Sequence, residues 1–378
     1  MALPLDYAVR SLGRRPTRTF LTGLSSALVA ALFVATTAFV RGLGDTFAGA
    51  ASDDTALLLS SVADRDVVRS TTTAGLASLV EASVPGVIAS DEIHMGTSIL
   101  AAGLVEPGAG FLRGITPRAF EVHDALTLVA GRLPGPGEAI VGRLVGRQLG
   151  VPESSMALDA TLEFEGAPHR IVGHFVAPGT TLEAEIWTPL EPLRGLVQRD
   201  DSSVVFTKLA DEAAGKRLKL FTDRRLDLEL EFLTSREYYG ELVAYFKPIR
   251  RMAWALAAMI AVAALFGGAN TAAASVQDRI RELATLRAIG YGSAAIIVSL
   301  LVEALLLAAA GAVVGLLFAH FALAGSAVSL AMSAFALDID AIAVLAGFVG
   351  AVFLAGAGIV PAALRIIRLP IATALGED

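Results

Sequence analysis

Cysteine is absent from the 378 residues, so disulfides and thiolate metal sites are excluded. Charged residues are also scarce, at 18% of the chain against 54% hydrophobic residues, and the mean hydropathy is +0.64. This composition excludes a disordered chain and favours a membrane protein that carries a water-exposed domain. The formal net charge of −7 provides no basic footprint for nucleic acid.

Catalytic motifs are missing as well. Of the five histidines, His169 and His174 are close together, but their spacing lacks the helical arrangement of a metal site, and we expect them on the surface. No serine lies in a GxSxG turn, and Lys216 lacks the upstream glycines of a phosphate-binding loop. The sequence therefore predicts that any ATP driving this protein binds to another polypeptide.

Four long apolar stretches are present, and a bilayer core requires about 20 such residues in a helix. The third stretch is interrupted only by Glu303 and His320. The patterns predict membrane helices over residues 19–41, 249–275, 293–324 and 341–363. Residues 325–340 are then a short external loop and 364–378 a tail.

The basic residues that flank these spans predict the orientation, because Lys and Arg resist translocation. With both termini in the cytoplasm, nine basic residues flank the spans inside: Arg10, Arg14, Arg15, Arg18, Arg279, Arg281, Arg287, Arg365 and Arg368. Four lie outside: Arg41, Lys247, Arg250 and Arg251. We expect residues 1–18 to form an amphipathic helix on the inner leaflet. A cleaved signal peptide is the alternative, although the first apolar run is longer than such peptides usually have.

The long segment between the first two spans, residues 42–248, has the patterning of an α+β extracytoplasmic domain in one or two lobes. Thr161 to Gly166, for example, alternates between polar and apolar residues as a strand that runs into a turn.

Residues 276–292 predict a short amphipathic helix after the second span. Ser275 is a candidate N-cap, Gly290 a candidate C-cap, and Val276, Ile280 and Leu283 form an apolar stripe. A helix this short is unstable alone in water, so it must dock on something. The helix is either a connector that rests on lipid headgroups or a docking helix that inserts into a groove of a partner protein.

This stretch carries a family resemblance. The MacB/FtsX/LolC type of ABC-transporter permease has a signature of approximately GxxNxxxxSVxERxREIGxxxAxG after its second span. The chain matches it at Gly267, Asn270, Ser275, Val276, Arg279, Arg281, Glu282, Ala288 and Gly290, with Asp278 in place of the usual Glu. The chain also resembles that family in Glu303 followed by Gly311 and Gly315, and loosely in the segment between the first two spans.

The resemblance implies a four-span helical membrane protein with a MacB-like periplasmic core domain, the type VII ABC-transporter fold. It implies a non-catalytic subunit of the bacterial inner membrane, without a cofactor of its own. Two copies of a cytoplasmic ATPase would bind ATP and Mg²⁺, and a second permease copy would complete a homodimer or heterodimer. A periplasmic adaptor, or membrane fusion protein, is a further possible partner.

By the same resemblance, ATPase motion would reach the extracytoplasmic domain by mechanotransmission and export or extract a lipid-linked, peptide-like or amphiphilic substrate. The residues implied to couple to the ATPase are Asp278, Arg279, Arg281, Glu282, Leu286 and Arg287. The alternatives are an FtsX-like signalling permease that regulates a cell-wall hydrolase without transport, and a membrane-anchored sensor that has no ATPase.

Asn270 and Glu303 are the candidate intramembrane polar residues of the predicted spans. We expect Asn270 to form an interhelical hydrogen bond. Glu303 is more unusual, because a carboxylate inside a span is costly. It is expected to pair with Arg41, Lys247 or an equivalent cation from a neighbouring helix, or to be protonated, in either a structural or a functional role.

Overall fold

The computed structural model describes residues 16–323, 327–330, 333–337 and 339–367. Most of the predicted N-terminal amphipathic helix and most of the predicted tail lie outside the described residues. The chain forms two compact units. One contains the described residues up to Arg41, from Pro248 to 323, and 339–367; the other contains Gly42–Lys247 and the described residues of 326–337.

Among the described residues, four helices are long and apolar enough to span a membrane, and they are Thr19–Ala50, Lys247–Asp278, Ser293–Leu323 and Ala341–Ile367. The helices are α1 Pro16–Ala50, α2 Leu76–Ser83, α3 Ala119–Val122, α4 Val145–Leu149, α5 Leu190–Val197, α6 Glu212–Arg224, α7 Ser235–Tyr245, α8 Lys247–Asp278, α9 Ile280–Ala288, α10 Ser293–Leu323, α11 Ala341–Gly358 and α12 Val360–Ile367. The first helix continues nine residues beyond the predicted end at 41, and α8 continues three beyond 275.

The strands are β1 Thr55–Ser60, β2 Thr72–Thr73, β3 Val87–Ala101, β4 Gly108–Ile115, β5 Thr127–Gly131, β6 Glu138–Gly142, β7 Thr161–Phe164, β8 Ala167–Val176, β9 Glu185–Pro189, β10 Asp201–Ser202, β11 Val204–Leu209, β12 Leu230–Thr234, β13 Ala327–Leu330 and β14 Ser333–Ala336. A ten-stranded mixed sheet has the order β12-β1-β11-β3-β4-β9-β6-β8-β5, and β7 pairs with β3 and β8. The described part of the predicted external loop contains the hairpin β13–β14, which the sequence did not suggest.

The 15-residue strand β3 organises the domain between the first two spans. Its first part, up to Glu92, pairs with β11, and its second part, from Ile93, pairs with β4. Each part contributes to a different hydrophobic core, one around Val87 and Leu58 and another around Ile99 and Leu112. One continuous strand therefore joins two packed regions of an α+β domain.

In the helical unit, glycines set how closely α1 and α10 approach each other. A Cβ atom on Gly311 would lie 2.3 Å from the carbonyl oxygen of Gly23, and one on Gly315 would lie 2.1 Å from that of Ala27. Both distances are shorter than any real contact, so only glycine fits at either position. This close approach matches the small-residue packing of membrane helices.

A buried cluster of charged groups lies where β3 passes from β11 to β4. Arg113 donates to both carboxylate oxygens of Glu185, at 2.7 and 2.8 Å, and to Glu92 at 2.7 Å. His94 lies 3.0 Å from the same Glu92 oxygen, Oε2, and His123 lies 2.9 Å from the other oxygen, Oε1. The Arg113 and Glu92 side chains are 3% and 0% exposed, so each charge depends on these partners for its compensation.

The cluster shifts the ionisation of its members. Burial by itself would raise the pKa of Glu92, but His123 and Arg113 outweigh it and hold that pKa well below its usual value. Burial, helped by Arg113, lowers the pKa of His94 to about 4. His94 is therefore neutral in the folded domain, and unfolding lets it take up a proton below its ordinary pKa of 6.5. Its contribution to stability is present above pH 6.5 and is lost as the pH falls toward 4.

We expect Arg113→Met to destabilise the protein by about 3–5 kcal/mol, because it leaves Glu92 and Glu185 buried without their cation. Thermal unfolding of the purified chain in a Trp254→Phe background, followed by the fluorescence of Trp187, measures the loss, since the Trp187 indole donates to Glu185 at 2.8 Å. The matched control is Arg118→Met, because Arg118 is half exposed and its replacement should leave the unfolding temperature nearly unchanged. Equal effects of the two changes would contradict the role of the cluster.

Candidate functional site

The candidate site is the segment that follows the second membrane-spanning helix. Helix α8 ends at Asp278, and α9 begins at Ile280. Arg279 lies between them with non-helical torsion angles (φ −116°, ψ 17°) and is the N-cap of α9. The prediction that Ser275 caps this helix is wrong, because Ser275 lies inside α8, where the backbone is still helical.

At the other end of α9, the chain reverses at Gly290. Its φ of +105° is a conformation that residues with a side chain rarely adopt. The N–H of Tyr291 donates to the carbonyl oxygen of Leu286 at 3.0 Å, and that of Gly290 donates to Arg287 at 3.1 Å. These two bonds are those of a Schellman motif, in which glycine lets the chain satisfy the last carbonyls of a helix. The predicted helix stop therefore has a clear backbone cause.

The apolar side of α9 packs on its own chain. Leu283, together with Val276 from the end of α8, is buried in a cluster with Ile296 of α10 and Ile366 of α12. Burial of such a stripe supplies the stability that a nine-residue helix lacks by itself. The opposite side of the helix remains in contact with solvent. Helix α9 is thus held by its apolar side, and its polar side is exposed.

The six residues predicted to couple to an ATPase have different environments. Asp278 and Arg281 are exposed, and Leu286 is partly buried against the Leu283 cluster. Arg287 is half-buried, with its guanidinium 3.3 Å from the carbonyl oxygen of Ile366. Each charged residue in this segment takes part in at least one hydrogen bond or electrostatic interaction. The exposed face is therefore centred on Asp278 and Arg281.

Arg279 and Glu282 form part of an ion-pair network instead. The Arg279 side chain is only 8% exposed, and its Nη1 lies 3.1 Å from Oε2 of Glu303. Its Nε lies 3.4 Å from Oε2 of Glu282, as the i, i+3 spacing predicts. Glu303 is the eleventh residue of α10, about 15 Å along that helix. The residue at the helix break is thus tied to a carboxylate well inside a neighbouring span.

Glu303 pairs with a cation from a neighbouring segment, as one of the expected alternatives stated, but that cation is Arg279 and not the named Arg41 or Lys247. The expected pairing with Arg41 is wrong, since Nε of Arg41 lies 3.0 Å from Asp340 instead. Arg279 and Glu303 are 24 residues apart, and no helical or strand period relates them. A usable signal was the costly intramembrane carboxylate together with the basic residues at the end of the preceding helix.

Asn270 is exposed on α8 and forms no side-chain hydrogen bond within the part of the chain that the structure describes. The expected interhelical bond is therefore not made among the residues that the structure describes.

Neither of the two histidines that were expected on the surface is exposed. His169 is 6% exposed and stacks on Phe164 with ring centroids 3.8 Å apart, while His174 is half-buried beside the carbonyl oxygen of Met156. Burial lowers the pKa of His169. Among the described residues, no group of three or more histidines and carboxylates could hold a metal ion.

Comparisons with known proteins identify the class. A model of the MacB-like periplasmic core domain matches residues 19–219, more than half of the chain, and a model of the FtsX-like permease C-terminal region matches residues 254–371. The protein is therefore a member of the MacB/FtsX family of ABC-type permeases. Proteins of this family are permease subunits of ABC transporters and are generally not catalytic themselves.

Solved structures with a similar fold include the periplasmic region of MacB from Actinobacillus actinomycetemcomitans, at 13% identity and a TM-score of 0.39, covering 54% of this chain and 95% of that one. Another is the extracellular domain of the noncanonic ABC-type transporter YknZ from Gram-positive bacteria, at 15% identity and a TM-score of 0.38, covering 47% and 99%. The search of curated proteins returned no match.

We expect Arg279→Leu to destabilise the protein by about 3 kcal/mol, because it leaves the Glu303 carboxylate largely buried without a cation. The double change Arg279→Leu with Glu303→Leu should recover most of this loss, since apolar replacement of a whole buried pair is often neutral. Thermal unfolding in detergent measures both. Arg281→Leu is the matched control, because Arg281 lies two residues farther along the chain and is exposed. No recovery in the double variant would contradict the pairing.

Proposed function

We propose that this protein is the membrane subunit of an ABC exporter and transmits the motion of a separate cytoplasmic ATPase. ATP and Mg²⁺ bind to that partner, which closes on nucleotide and moves α9. The single observation that carries the proposal is the construction of α9, which is anchored to its own bundle on one side and exposes Arg281 on the other, close to the exposed Asp278 at the end of α8. A helix held in this way moves as one body with the spans beside it.

The path of the motion follows from the contacts of α9. It continues from α8 with only Arg279 between the two helices, and the Arg279–Glu303 ion pair links this break to α10. Helix α8 begins at Lys247, directly after the extracytoplasmic domain. A displacement of α9 would therefore act along α8 on the domain beyond the membrane. This is the mechanotransmission that the family resemblance implies.

The proposal includes a second permease copy. Large apolar side chains such as Met252, Met259 and Phe266 are each at least 65% exposed along α8. Part of this surface faces lipid, and part would face the same helix of a partner copy. Asn270 lies on α8 as well, where an interhelical hydrogen bond to the second copy would satisfy its amide. We place the assembly in the bacterial inner membrane with both termini in the cytoplasm.

This topology can be tested directly, because the chain has no native cysteine. We expect Lys216→Cys, at an exposed position of α6, to react with a membrane-impermeant maleimide in intact spheroplasts. Arg281→Cys should react only after the membrane is permeabilised, because α9 lies on the cytoplasmic side. The readout is the mass shift of the labelled chain. Labelling of Arg281→Cys in intact spheroplasts would reject the proposed orientation and the ATPase contact together.

Charge reversal on the exposed face of α9 tests the coupling. We expect Arg281→Glu to reduce ATP hydrolysis by the co-purified complex at least about tenfold, because unfavourable charge at a docking surface weakens or misaligns it. Lys216→Glu on the extracytoplasmic domain is the matched control and should leave turnover unchanged. Unchanged thermal unfolding of Arg281→Glu shows that the fold is intact. If the variant retains both the complex and full turnover, α9 is not the coupling element.

Deletion of the gene separates transport from signalling. In a deletion strain, accumulation of an amphiphilic compound supports export, whereas failure of cell separation supports control of a cell-wall hydrolase.

A further inference from the structure

A cavity of about 580 Å³ lies inside the helical unit, lined by residues of α1, α8, α10, α11 and α12. Its size falls within the range of about 300–1,000 Å³ typical of small-molecule sites. Leu21 and Leu28 in its lining are each more than 60% exposed, so the cavity opens sideways, toward the bilayer that surrounds these helices. A molecule could therefore enter from the membrane.

The lining is polar at one end and apolar at the other. Thr17, Thr22 and Ser25 near the start of α1 and Thr271 and Ser275 near the end of α8 form the polar end. Farther along the same two helices, the lining residues are Leu28, Val29, Ile260 and Ala263. From Thr17 to Val29 the helix rises about 18 Å, which is roughly one leaflet of a hydrocarbon core about 30 Å thick. The polarity gradient of the lining therefore matches an amphiphile in length and direction, with the polar head at the end of the cavity next to α9.

Two groups in the lining indicate the kind of head that would fit. Ser275 is 2% exposed, and its hydroxyl has no hydrogen-bond partner among the described residues. Such an unsatisfied group carries a free-energy cost that an occupant with a hydrogen-bonding head would remove after a small rearrangement. The Glu303 carboxylate also lines the cavity, and Arg279 already compensates its charge. A charged head would disturb this neutral pair, so an uncharged head fits best.

We propose that this cavity binds an amphiphile with an uncharged, hydroxyl- or amide-bearing head and an apolar chain one leaflet long. The inference rests on the proposed function, for which it names the substrate class. Because Glu303 lines the cavity and pairs with Arg279 at the start of α9, the occupant lies next to the coupling segment. Binding in the cavity would then perturb the Arg279–Glu303 ion pair and, through it, the helix that an ATPase moves.

The test uses the full chain in lipid nanodiscs and a monoacylglycerol with a photoactivatable diazirine in its acyl chain. We expect peptide mapping to find the label on α1, α8 and α10 at residues of the cavity. Unlabelled monoacylglycerol should compete, whereas the fatty acid and the alkyltrimethylammonium of the same chain length should compete at least about tenfold more weakly. Labelling spread evenly over lipid-facing surfaces, or equal competition by a charged amphiphile, would overturn the proposal.

Variants separate the cavity from surface lipid. Ala304→Trp should fill the cavity and reduce the labelling about tenfold, while Val314→Trp, on the same helix but 61% exposed and outside the lining, should not. The smaller change Ser275→Ala should weaken competition about fivefold, as expected for one lost hydrogen bond. If the Ser275→Ala and Ala304→Trp variants both bind monoacylglycerol like the parent chain, this cavity is not the binding site.

These assays need no ATPase. Their failure leaves the coupling role of Arg281 intact, and an inactive Arg281→Glu complex with normal labelling would leave the cavity intact.

Discussion

The ion pair between Arg279 and Glu303 is the constraint on which the functional half of this molecule depends. A carboxylate inside a span is tolerated only with a partner, and here the partner is the residue at which α8 breaks and α9 begins. One interaction therefore satisfies an intramembrane charge and fixes the start of α9. The position of α9 is consequently linked to the interior of the bundle.

The domain between the first two spans also contains buried charges that depend on one another. Arg113, Glu92 and Glu185 are buried where β3 passes from one hydrophobic core to the other. The charges compensate one another, and the two nearby histidines complete the hydrogen bonding of Glu92. A transmitted force would reach a domain whose two packed regions share one continuous strand and one buried polar network. Both features favour movement of the domain as a unit.

Family membership and the cavity address separate questions. Membership assigns the chain to the ABC-type permeases, whose members are generally not catalytic themselves. It does not specify what the protein moves. The polarity gradient of the cavity and the pairing of Glu303 supply the chemical argument for an amphiphile with an uncharged head. Because the Glu303 carboxylate lines the cavity and contacts Arg279 at the start of α9, a bound amphiphile and an ATPase that acts on α9 would influence each other through it.

Much of the architecture follows from the sequence by itself. Long uncharged runs predict the spans because no unpaired backbone is tolerated in hydrocarbon, and the alternation after Thr161 predicts strand β7 because side-chain direction alternates along a strand. Gly290 predicts the end of α9 because that turn requires positive φ. The tertiary structure alone decided that Arg279 rather than Ser275 caps the helix, that Glu303 pairs with Arg279, and that His94 and Arg113 are buried. These outcomes depend on contacts between distant segments, which local periodicity does not encode.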